Sequence, residues 1–128
     1  MVTQQLQAPT TDHLCRSLSG APLDWAFALA VGLPVAILPP HYGTGPRVFV
    51  TVGTTARRQL RFSPTTNWKQ AGEYISMFGF NFKVVDGLVE ASAPGLHGCG
   101  PDHLTALCRA MVAGHFGDKV GIPTALLE

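Results

Sequence analysis

Apolar residues along the chain fall into blocks of different period, and each block predicts a different kind of element. From Ser19 to Gly32 the run SGAPLDWAFALAVG places Leu23, Phe27 and Ala30 at i, i+4 and i+7, with Trp25 and Leu29 on the adjoining face. This spacing predicts a helix that is apolar over more than half its circumference and meets protein on both faces. Ser19 stands at its N-cap position, Pro22 and Asp24 in its first turn, and Gly32 at its end. A second helix is expected over PDHLTALCRAMVAGHFGDKV. Pro101 takes the first helical position there with Asp102 beside it, Leu104, Leu107, Cys108, Met111 and Val112 form one stripe, and Gly117 is the C-cap.

Between these helices the pattern changes to strand-like runs. VAIL, Val35 to Leu38, is short and is ended by Pro39 and Pro40, which predicts an edge strand or extended connection, followed by a loop at HYGTGP. RVFVTV, Arg47 to Val52, alternates little and reads as a buried strand. GTTA turns the chain, and RRQLRF, Arg57 to Phe62, alternates as a half-exposed strand. The period of two puts Arg57 and Arg61 on one face and Arg58 on the other with Leu60 and Phe62. FKVVDGLVEASA holds Asp86 and Gly87 between two strand-like runs, the two-residue signal of a hairpin with both central residues at positive φ. The expected fold is α+β, a small antiparallel sheet covered by two helices. Met1 to Ser17, rich in Gln and Thr, has little hydrophobic pattern and is expected to be a flexible arm before one domain over 18–128.

Composition supports one domain. The 128 residues are 46% hydrophobic, enough for a core without disulfide or metal staples. Only 13% are charged, against roughly 25% in a typical domain, so part of the surface is expected to be covered in a homo-oligomer. A net charge of +1 gives no broad footprint for nucleic acid or an anionic membrane. Three cysteines without paired spacing, and an N-terminus without the basic-then-apolar layout of a signal peptide, point to a reducing cytosol. The apolar stretch from Trp25 to Leu38 is interrupted by Gly32 and Pro34 and is too short to span a membrane.

One segment, RFSPTTNWKQAG from Arg61 to Gly72, has neither period. Two readings compete. In the first, Ser63, Thr65, Thr66 and Asn67 satisfy free backbone amides at a turn or helix start. In the second, Phe62 and Trp68 offer stacking surfaces, Ser63 and Asn67 read polar edges, and Arg57 or Arg61 neutralises an anion such as the phosphate of a nucleotide-like ligand. A further candidate is LHGCGPDH, where Gly98, Gly100 and His103 lead into a helix N-terminus and suggest a weak anion site, or simply a tight strand-to-helix turn. His97, Cys99, His103 and Cys108 are of zinc-ligand type, but their spacing argues against a metal, and no cofactor is expected. No nucleophile elbow is present, so a hydrolase is the third choice behind a binding protein. Asp24 reads as a helix-dipole partner rather than a buried acid.

The blocks LSGAPLDWAFALAVG, FSPTTNWKQAG and GCGPDHLTALCRAMVAGHFGDKVGIP, in that order, resemble the bacteriophage NinX-like family, a small domain of unknown function. Leu18, Gly20, Leu23, Asp24, Trp25 and Ala26 match its first block. Phe62, Ser63 and Trp68 match the second, with Ala71 and Gly72 where the family has a glycine pair. Gly100, Pro101, Leu104, Arg109, Met111, Gly117 and Asp118 resemble the third, with Arg109 and Met111 out of the family's order. The resemblance covers under half of the chain. It implies a phage or prophage accessory protein. The expected location is the cytoplasm of the bacterial host, and the expected partner is a host protein or a small anionic ligand.

Overall fold

The computed structural model describes residues 10–38, 47–52 and 58–127; the expected loop at HYGTGP, the turn at GTTA and Arg57 lie outside the described residues. In chain order the elements are β1 (Thr10–Leu14), α1 (Gly20–Ala30), β2 (Val35–Leu38), β3 (Arg47–Val52), β4 (Arg58–Arg61), α2 (Trp68–Phe78), β5 (Asn81–Val85), β6 (Leu88–Ala93), β7 (Leu96–Gly100), α3 (His103–Phe116) and β8 (Lys119–Pro123). The fold is α+β, with every strand pairing antiparallel.

Three details of the expected architecture are corrected. Among the described residues the strands form three sheets in the orders β1-β8, β2-β3-β4 and β5-β6-β7, not one. Among the described residues there are three helices rather than two, because α2 begins inside the segment that has no clear period. Its signals are Asn67, whose Oδ1 accepts from the amides of Lys69 at 3.0 Å and Gln70 at 3.2 Å, and Gly79 in the left-handed region at its end. Ala71, Tyr74, Ile75 and Phe78 between them carry helical spacing. Residues 10–17, expected as part of the flexible arm, belong to the fold. Thr10 to Leu14 pair residue for residue with Pro123 to Lys119 in β1, and a short 3-10 turn follows it.

Other expectations hold. Asp86 and Gly87 take φ of 52° and 79° at the hairpin tip between β5 and β6. β2 is an edge strand, and Gly117 closes α3 with its amide on the Ala113 carbonyl at 2.8 Å. RVFVTV lies at the centre of its sheet, with Val48 and Val50 buried and Arg47, Phe49 and Thr51 half-buried on the opposite face.

The core forms where α1 crosses α3 and where α3 lies on β6 and β7. Leu23 and Phe27 of α1, Leu107, Cys108 and Val112 of α3 and Ile122 of β8 are fully buried. The Phe27 ring is stacked on Phe62 at 6.0 Å and takes Tyr74 edge-on at 5.1 Å. α2 and the segment leading into it are thereby fastened to α1 by aromatic packing, each pair adding about 1 kcal/mol beyond the area it buries. Arg109 ties the remaining pieces together. Its Nε donates to the Leu18 carbonyl at 2.8 Å and its guanidinium to the Cys99 carbonyl at 2.9 Å, linking the approach to α1 with β7.

Candidate functional site

The segment after β4 is built from its own side chains. The Phe62 amide donates to the Val48 carbonyl at 2.8 Å, which extends the β3–β4 pairing by one bond and drops the Phe62 ring into the core. Pro64 sets the next turn, closed by the Thr66 amide on the Ser63 carbonyl at 3.0 Å. Gln70, one turn into α2, reaches back: its Oε1 accepts from the Ser63 amide and its Nε2 donates to the Arg61 carbonyl, each at 2.8 Å. The amide side chain thus bridges both sides of Phe62 and fixes the backbone that carries Arg61 and Ser63.

The Thr65 amide donates at 2.9 Å to Oδ1 of Asp24, which is only 5% exposed. Asp24 is not the first-turn dipole partner that the sequence suggests. α1 begins at Gly20, so Asp24 is its fifth residue and faces the interior. Burial pushes its pKa up from 3.8 to about 6, against the opposing pull of the Thr65 hydrogen bonds and the Arg61 charge. A carboxylate has roughly four lone-pair sites, and the bonds from Thr65 leave some of them free.

Asp24 opens on a cleft of about 150 Å³. Its wall is made by the start of α1 (Gly20, Ala21), by Arg47 and Val48 of β3, and by Arg61 to Ser63 with Thr65 and Thr66. The register explains why both arginines arrive here. Phe49 lies opposite Arg61, so residue 47 is the diagonal neighbour of residue 61 on the same sheet face. Ser19, at the N-cap of α1, makes no capping bond with its side chain, and the polar lining comes from Asp24, the arginines and the hydroxyl residues of the turn.

The candidate residues therefore separate. Arg61, Phe62 and Ser63 line the cleft, although the Phe62 ring is 5% exposed and occupied by Phe27. Asn67 is used as the cap of α2. Trp68 is 55% exposed but does not line the cleft; its ring lies 6.0 Å from His103, which in turn lies 5.2 Å from Phe82. Sequence reasoning does not place Arg47 or Asp24 at this site. The clue for Arg47 is its place on a strand two residues out of register with Arg61, which becomes readable only once the β3–β4 pairing is known.

The glycine segment before α3 has a different purpose. Gly98 and Gly100 lie in β7, where a Cβ on Gly98 would meet the Ala110 amide nitrogen and stand 2.5 Å from the Ala106 carbonyl oxygen. A Cβ on Gly100 would come to 3.0 Å from the Ala106 nitrogen. These residues let a strand lie directly on a helix backbone. The helix begins at His103, not Pro101, and Asp102 caps it by accepting from the Thr105 amide at 2.8 Å. A carboxylate therefore already occupies the position where an anion would bind.

Among the metal-type residues, Cys108 is fully buried in the stripe facing α1, and its thiol pKa is raised by burial, with Asp24 and Asp102 adding to the shift. Among the described residues, no three of His, Cys, Asp and Glu come together as a metal cluster. No helix among the described residues is long and apolar enough to cross a membrane. No family model and no curated protein matches the chain.

Proposed function

We propose that this protein acts by binding rather than catalysis, as a phage or prophage accessory protein working in the bacterial cytoplasm, and that a small anionic ligand occupies the cleft beside Asp24. The observation that carries this is the convergence of Arg47 and Arg61 on one small cavity whose backbone is fixed by Gln70. Two guanidiniums on one sheet face repel each other, and an anion between them relieves that repulsion while gaining charge-assisted hydrogen bonds. The cleft is smaller than the 300 Å³ or so of an ordinary drug-sized site, so a nucleotide would enter it by one group only. Native mass spectrometry of protein purified from bacterial cells tests the proposal. A retained small molecule that is lost in Arg61→Ala supports it. A ligand-free spectrum, with no thermal shift on adding nucleotides, phosphate or carboxylates, defeats it.

A second reading, self-association or capture of a host protein, draws on apolar side chains left at the surface. Trp68, Met77 and Val84 are 55%, 64% and 64% exposed on a chain with few charges to shield them. The same spectrum reports the subunit number, and a monomer at micromolar concentration would remove the homo-oligomer.

A further inference from the structure

We infer that the cleft between α1 and the Arg61–Thr66 turn recognises a small zwitterion of the acidic amino-acid class, one ammonium with two anionic groups. The inference rests on the small-ligand reading above and narrows it.

Three features of the wall carry it. The first is charge stoichiometry. Among the described residues, the ionisable ones lining the cleft are one carboxylate, Asp24, and two guanidiniums, Arg47 and Arg61. A simple anion satisfies the arginines but must sit in the same cavity as the Asp24 carboxylate, where like charge disfavours it. An ammonium on Asp24 and an anionic group on each arginine matches the lining one for one, and Asp24 keeps acceptor capacity beyond the bonds from Thr65.

The second is size. A cleft of about 150 Å³ is of the order that holds a single benzene ring, which suits a compact amino acid and takes only one group of a nucleotide. The apolar part of the lining, Ala21, Val48 and Phe62, leaves room for the short carbon chain that joins the three charged groups.

The third is cost. Asp24 is buried with its pKa raised to about 6, so at neutral pH the fold carries an ionised carboxylate in a place that disfavours it. Arg61 from β4 and the Cys108 thiol from α3 are the other titratable or charged groups that act on it. An asparagine would accept from the Thr65 amide equally well without a charge. Arg61 offsets part of that cost, and an ammonium brought in by the ligand would offset more of it.

The test is isothermal titration of the full chain at pH 7.5 with L-aspartate and L-glutamate, their N-acetyl derivatives, L-asparagine, L-glutamine, inorganic phosphate and AMP. One of the two acidic amino acids should bind. Removing its ammonium by acetylation, or its side-chain charge by amidation, should weaken binding at least tenfold. Asp24→Asn and Arg61→Gln should each produce a similar loss with the thermal transition retained. Phosphate, AMP or the N-acetyl compounds binding as well as the free amino acids would overturn the zwitterion and leave an anion site. No heat from any of these probes would overturn the small-ligand reading as well. The ligand series is measured on the unaltered protein, so its outcome stands whether or not the variants fold.

Discussion

Two segments of this chain look alike in sequence and are used in opposite ways. Arg61–Asn67 and Leu96–Asp102 each leave a strand, pass through small residues and a proline, and enter a helix through an Asn or Asp cap. The second is closed. Its glycines allow β7 to touch the α3 backbone, and its cap already supplies the charge that the helix N-terminus favours. The first remains open. Its backbone is held from outside by Gln70 and Asp24, so space is left between it and α1, and that space is lined by charge. Glycine density and a helix N-terminus do not by themselves make a site; what matters is whether the partner backbone fills the gap.

The largest expected effect lies on the closed segment. Gly98→Ala drives a methyl into the backbone of α3 at Ala106 and Ala110, with no flexible side chain to move aside, and should cost about 3 kcal/mol or more. Chemical denaturation would measure it. A loss under about 1 kcal/mol, the range of ordinary substitutions, would mean that β7 and α3 do not lie in contact and that the contrast between the segments is misdrawn.

Asp24→Asn on the open segment should act in the other direction. The folded-state pKa of Asp24 is raised from 3.8 to about 6, so the native state holds its proton more tightly than the unfolded chain. The stability associated with this group is complete below about pH 4, falls as pH rises through 6, and stays low above that. At about 1.4 kcal/mol per pKa unit, the variant should gain up to about 3 kcal/mol at pH 7.5 and nothing near pH 4. Paired melts of the two proteins across this range isolate the effect from other carboxylates. A variant that is less stable than the parent at pH 7.5 would show that the charge of Asp24 is compensated in the folded state.

How much of this is legible in the chain follows from which interactions are local. α1, the Asp86–Gly87 hairpin and the Gly117 cap rest on signals within a few residues, and these can be read directly. α2 escapes such a reading because its apolar spacing starts only after four polar or hydroxyl residues, and its N-cap, Asn67, is equally suited to a ligand group. β1 escapes because TTDHL has no apolar alternation; it is a strand because β8, more than a hundred residues later, offers an edge. The site is half legible. Arg61 and Ser63 stand out in the sequence, but Asp24 and Arg47 join them only through the packing of α1 on β3 and the β3–β4 register.

Gln70→Ala comes next in size. It removes both hydrogen bonds that hold the open segment, leaving the part-buried Ser63 amide without its acceptor, for a loss of about 2 kcal/mol. Because the same two bonds position Arg61 and Ser63, ligand affinity should fall even though Gln70 does not line the cleft. Unchanged affinity with reduced stability would show that the turn keeps its shape from Pro64 and the Asp24–Thr65 bond alone.

The smallest effect is expected at Trp68, and it separates the two readings of the segment most cleanly. Its ring is more than half exposed and outside the cleft, lying instead toward His103 and Phe82. Trp68→Ala should change stability by only about 0.5 kcal/mol and leave binding of the probes to the cleft within twofold. If the same substitution converts an oligomer to a monomer, the exposed aromatic belongs to a protein contact, and the segment serves two surfaces, with Arg61 facing one and Trp68 the other. If it abolishes small-ligand binding, stacking on the indole outweighs the charges of the cleft, and the ligand must lie across the start of α2 rather than beside Asp24.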